Sequence, residues 1–291
     1  MIASPFPDQA LELLARAFPG QGVSELAPAQ GGFSHHSALA SIGRRRCFVK
    51  AAELPAKRAS LRHEAAALGA LAGRGLAAPQ LLALLDEHSW TIEVMAALPG
   101  ASGVLLYAEP PGVAMAALSG LASLLAATHV LDVPAPNPDA LHAARGARAL
   151  DALTDLSLPS ALRVALTASL EHPVWRPGTT QMSHGDAGLH NLIWGGGYAL
   201  VDWEWAGWGE PLLDLAWVWW TLRWRGAPPE RWAGFLAAYR AARPIEEPDP
   251  DSLYALALGQ IAGILARVRD EPAAYAEWLR RAEWTLGLAP V

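Results

Sequence analysis

The chain has 291 residues, 22 of them basic and 28 acidic, for a formal net charge of −6. That length can bury one large core or two lobes, while the acidic balance, with no basic run longer than Arg44-Arg45-Arg46, argues against a nucleic-acid surface. Cys47 is the only cysteine, which excludes an intrachain disulfide and a multi-thiolate metal site and suits a reducing compartment.

The N-terminus has no basic region followed by an apolar run. Leu11, Leu14 and Phe18 share one face of a helix expected over Asp8 to Phe18, so the segment reads as part of the fold and not as a signal peptide. Gln30-Gly31-Gly32-Phe33-Ser34 lies between strand-like runs, and its glycines permit a tight turn whose backbone amides can approach phosphate. The runs His36 to Ile42 and Arg46 to Lys50 follow, joined by a turn at Gly43. Lys50 and Lys57 are the only lysines in the chain, so a lysine retained at a strand end asks for a reason; a compact ammonium there can reach the α and β phosphates of a nucleotide.

Ala59 to Ala72 reads as a helix with Leu61, Leu68 and Leu71 on one face, and Glu64 falls on that stripe. A carboxylate in an apolar stripe is costly unless paired, which predicts a Lys50–Glu64 ion pair. Trp90 to Leu98 is a further strand-like run, ended by Pro99-Gly100.

The most apolar stretch, Val113 to Val130, is interrupted by Ser119, Gly120, Ser123 and His129, and reads as a core helix in preference to a membrane span. The proline-rich stretches Val133 to Pro138 and Pro244 to Pro250 read as surface loops. Between them stands His184-Gly185-Asp186-Ala187-Gly188-Leu189-His190-Asn191, followed by Val201-Asp202-Trp203-Glu204. A hydroxyl attacking a γ-phosphoryl group needs a carboxylate to accept its proton, and the phosphate charge needs divalent metal held by oxygen ligands. Asp186 suits the first task; Asn191 and Asp202 suit the second. Gly195-Gly196-Gly197 predicts a hairpin between Leu192 to Trp194 and Tyr198 to Trp203, which would return Asp202 to the side of Asn191.

These motifs, with Gly207-Trp208-Gly209-Glu210-Pro211 and Asp214-Leu215-Ala216 after them, resemble the signature of the aminoglycoside phosphotransferase and choline kinase superfamily. One loop departs from it: the family commonly has Leu-His or Leu-Trp after the Asp and Gly before the Asn, where this chain has Ala187-Gly188-Leu189-His190. The resemblance implies an α+β, two-lobed protein-kinase-like fold. Residues 1–97 would form a nucleotide-covering lobe with an antiparallel sheet plus a helix, and residues 98–291 a mostly helical lobe with the catalytic loop and acceptor site. It also implies ATP (or GTP) and Mg²⁺ as cofactors, with Gly31, Gly32, Phe33, Ser34, Lys50, Glu64, Met95, Ala96 and Leu98 around the nucleotide, and, as Met95 to Leu98 offer no polar side chain, adenine read by their backbone.

The activity so implied is transfer of the γ-phosphoryl of ATP to a hydroxyl of an aminoglycoside, amino-alcohol or sugar-type acceptor, in the cytoplasm, with no nucleic-acid or membrane partner. The alternatives are a kinase acting on protein Ser or Thr and an inactive nucleotide-binding scaffold. Gly185, where protein kinases usually carry Arg, speaks against the first, and the complete set Lys50, Glu64, Asp186, Asn191 and Asp202 against the second. For the acceptor, Glu204, Trp205 and Trp208 are the candidates beside Asp202, and Trp203, Trp205 and Trp208 are read either as an aromatic wall for a sugar or ammonium group or as core. Glu204 together with Glu246, Glu247, Asp249 and Asp251 favours a cationic or amine-bearing alcohol. Trp217, Trp220 and Trp224 share a helical face and are assigned to packing, His129 to the core, and Asp214 to bracing the catalytic loop.

Overall fold

The computed structural model describes residues 6–29, 35–87, 89–176 and 181–289. In chain order it begins with α1 (Asp8–Ala17), β1 (Val23–Pro28), β2 (His36–Ile42), β3 (Arg45–Ala52), α2 (Pro55–Leu71), β4 (Leu81–Glu87), β5 (Trp90–Ala96) and β6 (Ala101–Ser102). There follow α3 (Pro111–Thr128), α4 (His142–Ala152), α5 (Ser160–Glu171), β7 (Gln181–Ser183), β8 (Leu192–Trp194), β9 (Tyr198–Leu200) and β10 (Gly207–Gly209). Four helices close the chain: α6 (Leu212–Trp224), α7 (Pro229–Ala242), α8 (Pro250–Arg267) and α9 (Pro272–Leu286). The chain divides into two compact units, one of residues 1–101 and 193–205, the other of residues 102–192 and 206–291.

The first unit is built on a five-stranded antiparallel sheet in the order β1-β2-β3-β5-β4. Strand side chains alternate between faces. In β3, Cys47, Val49 and Ala51 pack with Ile92 and Val94 of β5 and with Ala10 and Leu14 of α1. Lys50, between them in sequence, therefore takes the opposite face, where α2 lies, and β5 sets Glu93 opposite it in register. The expected hairpin forms from β8 and β9, which are hydrogen-bonded neighbours. Gly195, Gly196 and Gly197 all take positive φ in its turn (152°, 81° and 158°), which is why three glycines stand there.

The second unit is helical. Helix α8 is buried almost all round (Leu256, Leu258, Ile261 and Leu265 among its inward residues) and is packed by α4, α5, α6 and α9; a helix apolar on every face needs such a surround. Helix α3 is long and apolar enough to cross a membrane by length and composition. In the fold its Ala114, Leu118, Leu121 and Leu125 are buried, and it packs against α7.

The Gly207-Trp208-Gly209 strand β10 pairs with β7 and lies under the ring of His142. A Cβ at Gly207 would sit 2.5 Å from that ring, and one at Gly209 2.8 Å from its Nδ1, so neither position has room for a side chain. His142 Nε2 in turn meets the Ser183 hydroxyl at 2.8 Å, and burial drives its pKa down to about 3. The neutral ring is thus a spacer between α4 and the strand that leads into the catalytic loop. Gly207→Ala should destabilise the protein by about 1–3 kcal/mol through overpacking, read as a lower urea midpoint at unchanged slope; an unaltered midpoint would show that the His142 ring can move aside.

Candidate active site

In the first unit, the ion pair expected from the helical stripe is present. Lys50 Nζ lies 2.5 Å from Glu64 Oε2 and 2.6 Å from Asp202 Oδ1, and Glu64 Oε1 accepts the Trp203 amide at 3.1 Å. Both Lys50 and Glu64 are buried. Burial alone would strip the lysine of its proton. Asp202, Glu64, Glu93 and Glu204 outweigh it and hold the Lys50 pKa well above the ordinary lysine value. Glu64 is pushed up by burial, a shift that Lys50 opposes.

Asp202 is the only non-glycine residue with positive φ among the described residues, at 68°. Aspartate tolerates that left-handed conformation better than most, and here the Lys50 ammonium holds the carboxylate that it presents. The same stretch corrects the expectation for Glu204 and decides the alternative left open for Trp203. Glu204 faces inward, accepts a hydrogen bond from the Ser60 hydroxyl and lies 3.7 Å from His35 Nε2, so its carboxylate serves the fold and not an acceptor. Trp203 is fully buried with its indole donating to the Leu200 carbonyl. Trp205 is half-buried.

Glu93 was not anticipated. It is fully buried, opposite Lys50 in the sheet register and beside Glu64. Burial, then the neighbouring Glu64, pushes its pKa well up, a shift that the Lys50 charge opposes. Its β5 neighbours Thr91 and Met95 share its face, but only the strand order brings that face to Lys50.

The proposed readers of the base need adjustment as well. The amides of Ala96 and Ala97 are already spent on the Gln80 and Arg46 carbonyls, at 2.9 and 3.0 Å, and Met95 is within β5. The Gly31, Gly32, Phe33 and Ser34 turn lies outside the described residues.

In the second unit, the loop from His184 to Asn191 is tied from behind. Gly185 takes φ 79°, a reason for glycine between His184 and Asp186. Asp214 Oδ2 and Oδ1 accept the His184 and Gly185 amides, both at 2.7 Å. Asp214 also meets His129 Nε2 at 2.9 Å, and His129 Nδ1 meets the Tyr239 hydroxyl at 2.7 Å. Gln260 donates to the Gly185 carbonyl at 2.8 Å. The bracing role expected of Asp214 is thus carried by named bonds.

In front of that brace, the Asp186 carboxylate is held by three side chains. Asn191 Nδ2 donates to its Oδ2 and to its backbone carbonyl, both at 2.9 Å. Trp217 Nε1 donates to its Oδ1 at 2.6 Å, and His190 Nε2 lies 3.3 Å from the same atom. About a quarter of the Asp186 side chain stays exposed (24%). Trp208 is in the core, 1% exposed, with its indole donating to the Val133 carbonyl at 2.7 Å; the aromatic-wall reading fails for it. The acids invoked for a cationic acceptor are largely engaged too: Glu247 pairs with Arg240 at 2.5 Å, and Asp249 caps α8 through the Ser252 amide at 3.0 Å.

Asn191 and Asp202, the residues expected to hold Mg²⁺, each keep a hard oxygen donor in their own unit. Asn191 uses its NH₂ on Asp186, which leaves its amide oxygen as the ligating atom, and Asp202 offers a carboxylate with 37% of its side chain exposed. Hard oxygen donors in small number, completed by water and phosphate oxygens, are how Mg²⁺ is commonly held. Among the described residues no group of three or more His, Cys, Asp or Glu forms an all-protein cage.

A buried lysine locked to a helix carboxylate in one unit, and an Asp and Asn on a braced loop in the other, are residue types that phosphotransferases of the kinase-like class use. The sequence profile of the phosphotransferase enzyme family matches residues 25–284, and the chain belongs to that family. No curated protein matches it significantly. Among solved structures it is similar to aminoglycoside-3′-phosphotransferase of type VIII, at 22% identity and TM-score 0.65, over 88% of this chain and 98% of that one. It is also similar to a thermostable mutant of the aminoglycoside phosphotransferase APH(4)-Ia in ternary complex with ADP and hygromycin B, at 16% identity and TM-score 0.70, over 96% and 98% of the two chains. A third is the macrolide 2′-phosphotransferase MphH from Brachybacterium faecium, at 19% identity and TM-score 0.63, over 95% and 98%. At these identities the likeness is one of fold.

The Asp214 brace has a measurable pH signature. Burial works against its charge, but the hydrogen bond and charge of His129, followed by His184, hold its carboxyl below the usual aspartate value. A depressed carboxyl contributes stability that is complete above its unfolded pKa of about 4 and is lost as pH falls through the folded value. Asp214→Ala should cost roughly 3–5 kcal/mol at neutral pH by leaving the network unpaired, and less below about pH 4. Urea unfolding at both pH values checks this; an equal loss at both would separate the brace from its charge.

Proposed function

We propose that the protein transfers the γ-phosphoryl group of ATP or GTP to a hydroxyl of a small acceptor of the aminoglycoside, amino-alcohol or sugar type, in the cytoplasm. The observation that carries this reading is the Asp186 carboxylate, oriented by Asn191 and left partly open to solvent. The acceptor oxygen attacks the γ-phosphorus, the bond from that phosphorus to the β-γ bridging oxygen breaks, and the hydroxyl proton passes to Asp186. Lys50, kept charged and aimed by Glu64 and Asp202, holds the α and β phosphates. Asn191 and Asp202 would hold Mg²⁺, which when bound neutralises phosphate charge.

With the Ala96 and Ala97 amides engaged in the sheet, we assign the reading of the base to the Ala96 carbonyl and the Leu98 amide. Residues 1–97 serve in this scheme as the nucleotide-covering lobe, and residues 98–291 as the lobe of the catalytic loop and acceptor site. Gly185 in its left-handed conformation supports a small-molecule kinase over a protein kinase, since Arg at that position would be strained.

Two substitutions separate chemistry from binding. Asp186→Asn should leave nucleotide affinity nearly intact while cutting turnover by ~10²–10⁴, whereas Asp202→Ala should weaken binding of the Mg-nucleotide itself. Both are read by titration calorimetry and by an ATP-consumption screen over aminoglycosides, choline, ethanolamine, ketosamines, homoserine and simple sugars. Full phosphoryl transfer by both variants would overturn the assignment, and transfer to protein Ser or Thr would overturn the acceptor class.

A further inference from the structure

Trp217 looks like packing in the sequence, and most of it is. Its ring stacks on Trp220 at 4.7 Å between centroids and an interplanar angle of 17°, and on Trp278 of α9 at 6.2 Å and 22°. The next ring in the array, Trp224, stacks on Trp220 at 5.9 Å, and Arg281 lies over both Trp224 and Trp278. The indole nitrogens show what the rings share and what they do not. Trp220 donates to the Thr285 hydroxyl at 2.8 Å, a bond between core helices. Trp217 donates instead to Asp186 Oδ1, at 2.6 Å.

The geometry points to Trp217 as a positioning residue for phosphoryl transfer, acting through Asp186. This rests on the proposed role of Asp186 as base. Helix α6 reaches the catalytic loop at two levels one turn apart, since residues three apart lie on the same helix face. Asp214 holds the loop backbone at His184 and Gly185, and Trp217, three residues on, holds the carboxylate that follows. Two donors from different elements fix the carboxylate plane: Asn191 on Oδ2 and Trp217 on Oδ1. A carboxylate held by one donor can still swing about χ2, and one held at both oxygens cannot. The stack with Trp220 and Trp278 keeps the indole from turning, so α9 contributes to the orientation without touching the loop.

An aromatic in the core and an aromatic that orients a base respond differently to substitution. Trp217→Phe keeps the ring and the stack but removes the N–H. It should lower turnover by roughly 10- to 100-fold, the worth of a hydrogen bond to a charged group, with KM for MgATP unchanged. Turnover is followed with MgATP and the best acceptor of the screen, and as MgATP hydrolysis with water as acceptor. In an Asp186→Asn background the same change should cost much less, because the charge it orients is gone. Trp220→Phe keeps an aromatic ring in the stack and removes only the N–H given to Thr285, so it should lower thermal stability and leave turnover near wild type.

Indole N–H NMR supplies a readout independent of activity: the resonance lost in Trp217→Phe should shift in Asp186→Asn, and the one lost in Trp220→Phe should not. Equal losses from Trp217→Phe in both backgrounds, or a Trp217 resonance indifferent to Asp186→Asn, would reduce Trp217 to packing while leaving Asp186 as base. An Asp186→Asn enzyme of full activity would instead sink the proposed function on which this rests.

Discussion

Taking the Lys50 ammonium out of water is the constraint on which the layout of the first unit depends. A buried charge costs several kcal/mol unless it is paired and hydrogen-bonded, and β3 has no carboxylate of its own to offer. The sheet therefore presents Lys50 to α2, whose stripe brings Glu64, and the chain after β9 turns into a left-handed conformation at Asp202 to bring the second carboxylate. The Trp203 amide then satisfies the other Glu64 oxygen. Glu93 lies against the same cluster, where burial and the neighbouring Glu64 push its pKa well up.

The second unit solves a different problem: a short loop must hold a carboxylate steady while leaving it accessible. Regular secondary structure would bury it, and a free loop would let it wander. Asp214 resolves this by substituting for a strand neighbour, accepting two consecutive loop amides while His129 and Tyr239 hold it from the core side. Gly185 supplies the turn that lets both amides point the same way. The glycines of β10 belong to the same support, since they leave room for the His142 ring against the strand that pairs with β7.

The aromatic and acidic residues near the site show how composition misleads. An acidic chain with tryptophans after the second Asp suggests a pocket for a cation, yet the tryptophans at 203 and 208 are core residues, and Glu204, Glu247 and Asp249 are committed to Ser60, Arg240 and the α8 cap. Around Asp186 the neighbouring side chains are instead Asn191, His190 and Trp217. Acceptor preference therefore cannot be read from net charge.

Much of the fold and half of the site were legible in the sequence. The strands around Gly43, the helix that carries Glu64, the hairpin at Gly195-Gly196-Gly197 and the Asp-Asn spacing of the loop are all set by local rules: alternation, helical period, turn glycines and short chain reach. The Lys50–Glu64 pair was legible for the same reason, because a charge placed in an apolar stripe announces the need for a partner. What only the tertiary structure decided were the questions of choice among equivalent residues. Glu93 meets Lys50 because β5 lies next to β3, Glu204 turns to Ser60, the Ala96 and Ala97 amides close the sheet, and one tryptophan of a stacked row gives its N–H to Asp186 while the next gives it to Thr285. Periodicity says which face a side chain occupies; which atom it meets there depends on pairing between elements far apart in the chain, and that is settled only when the whole core packs.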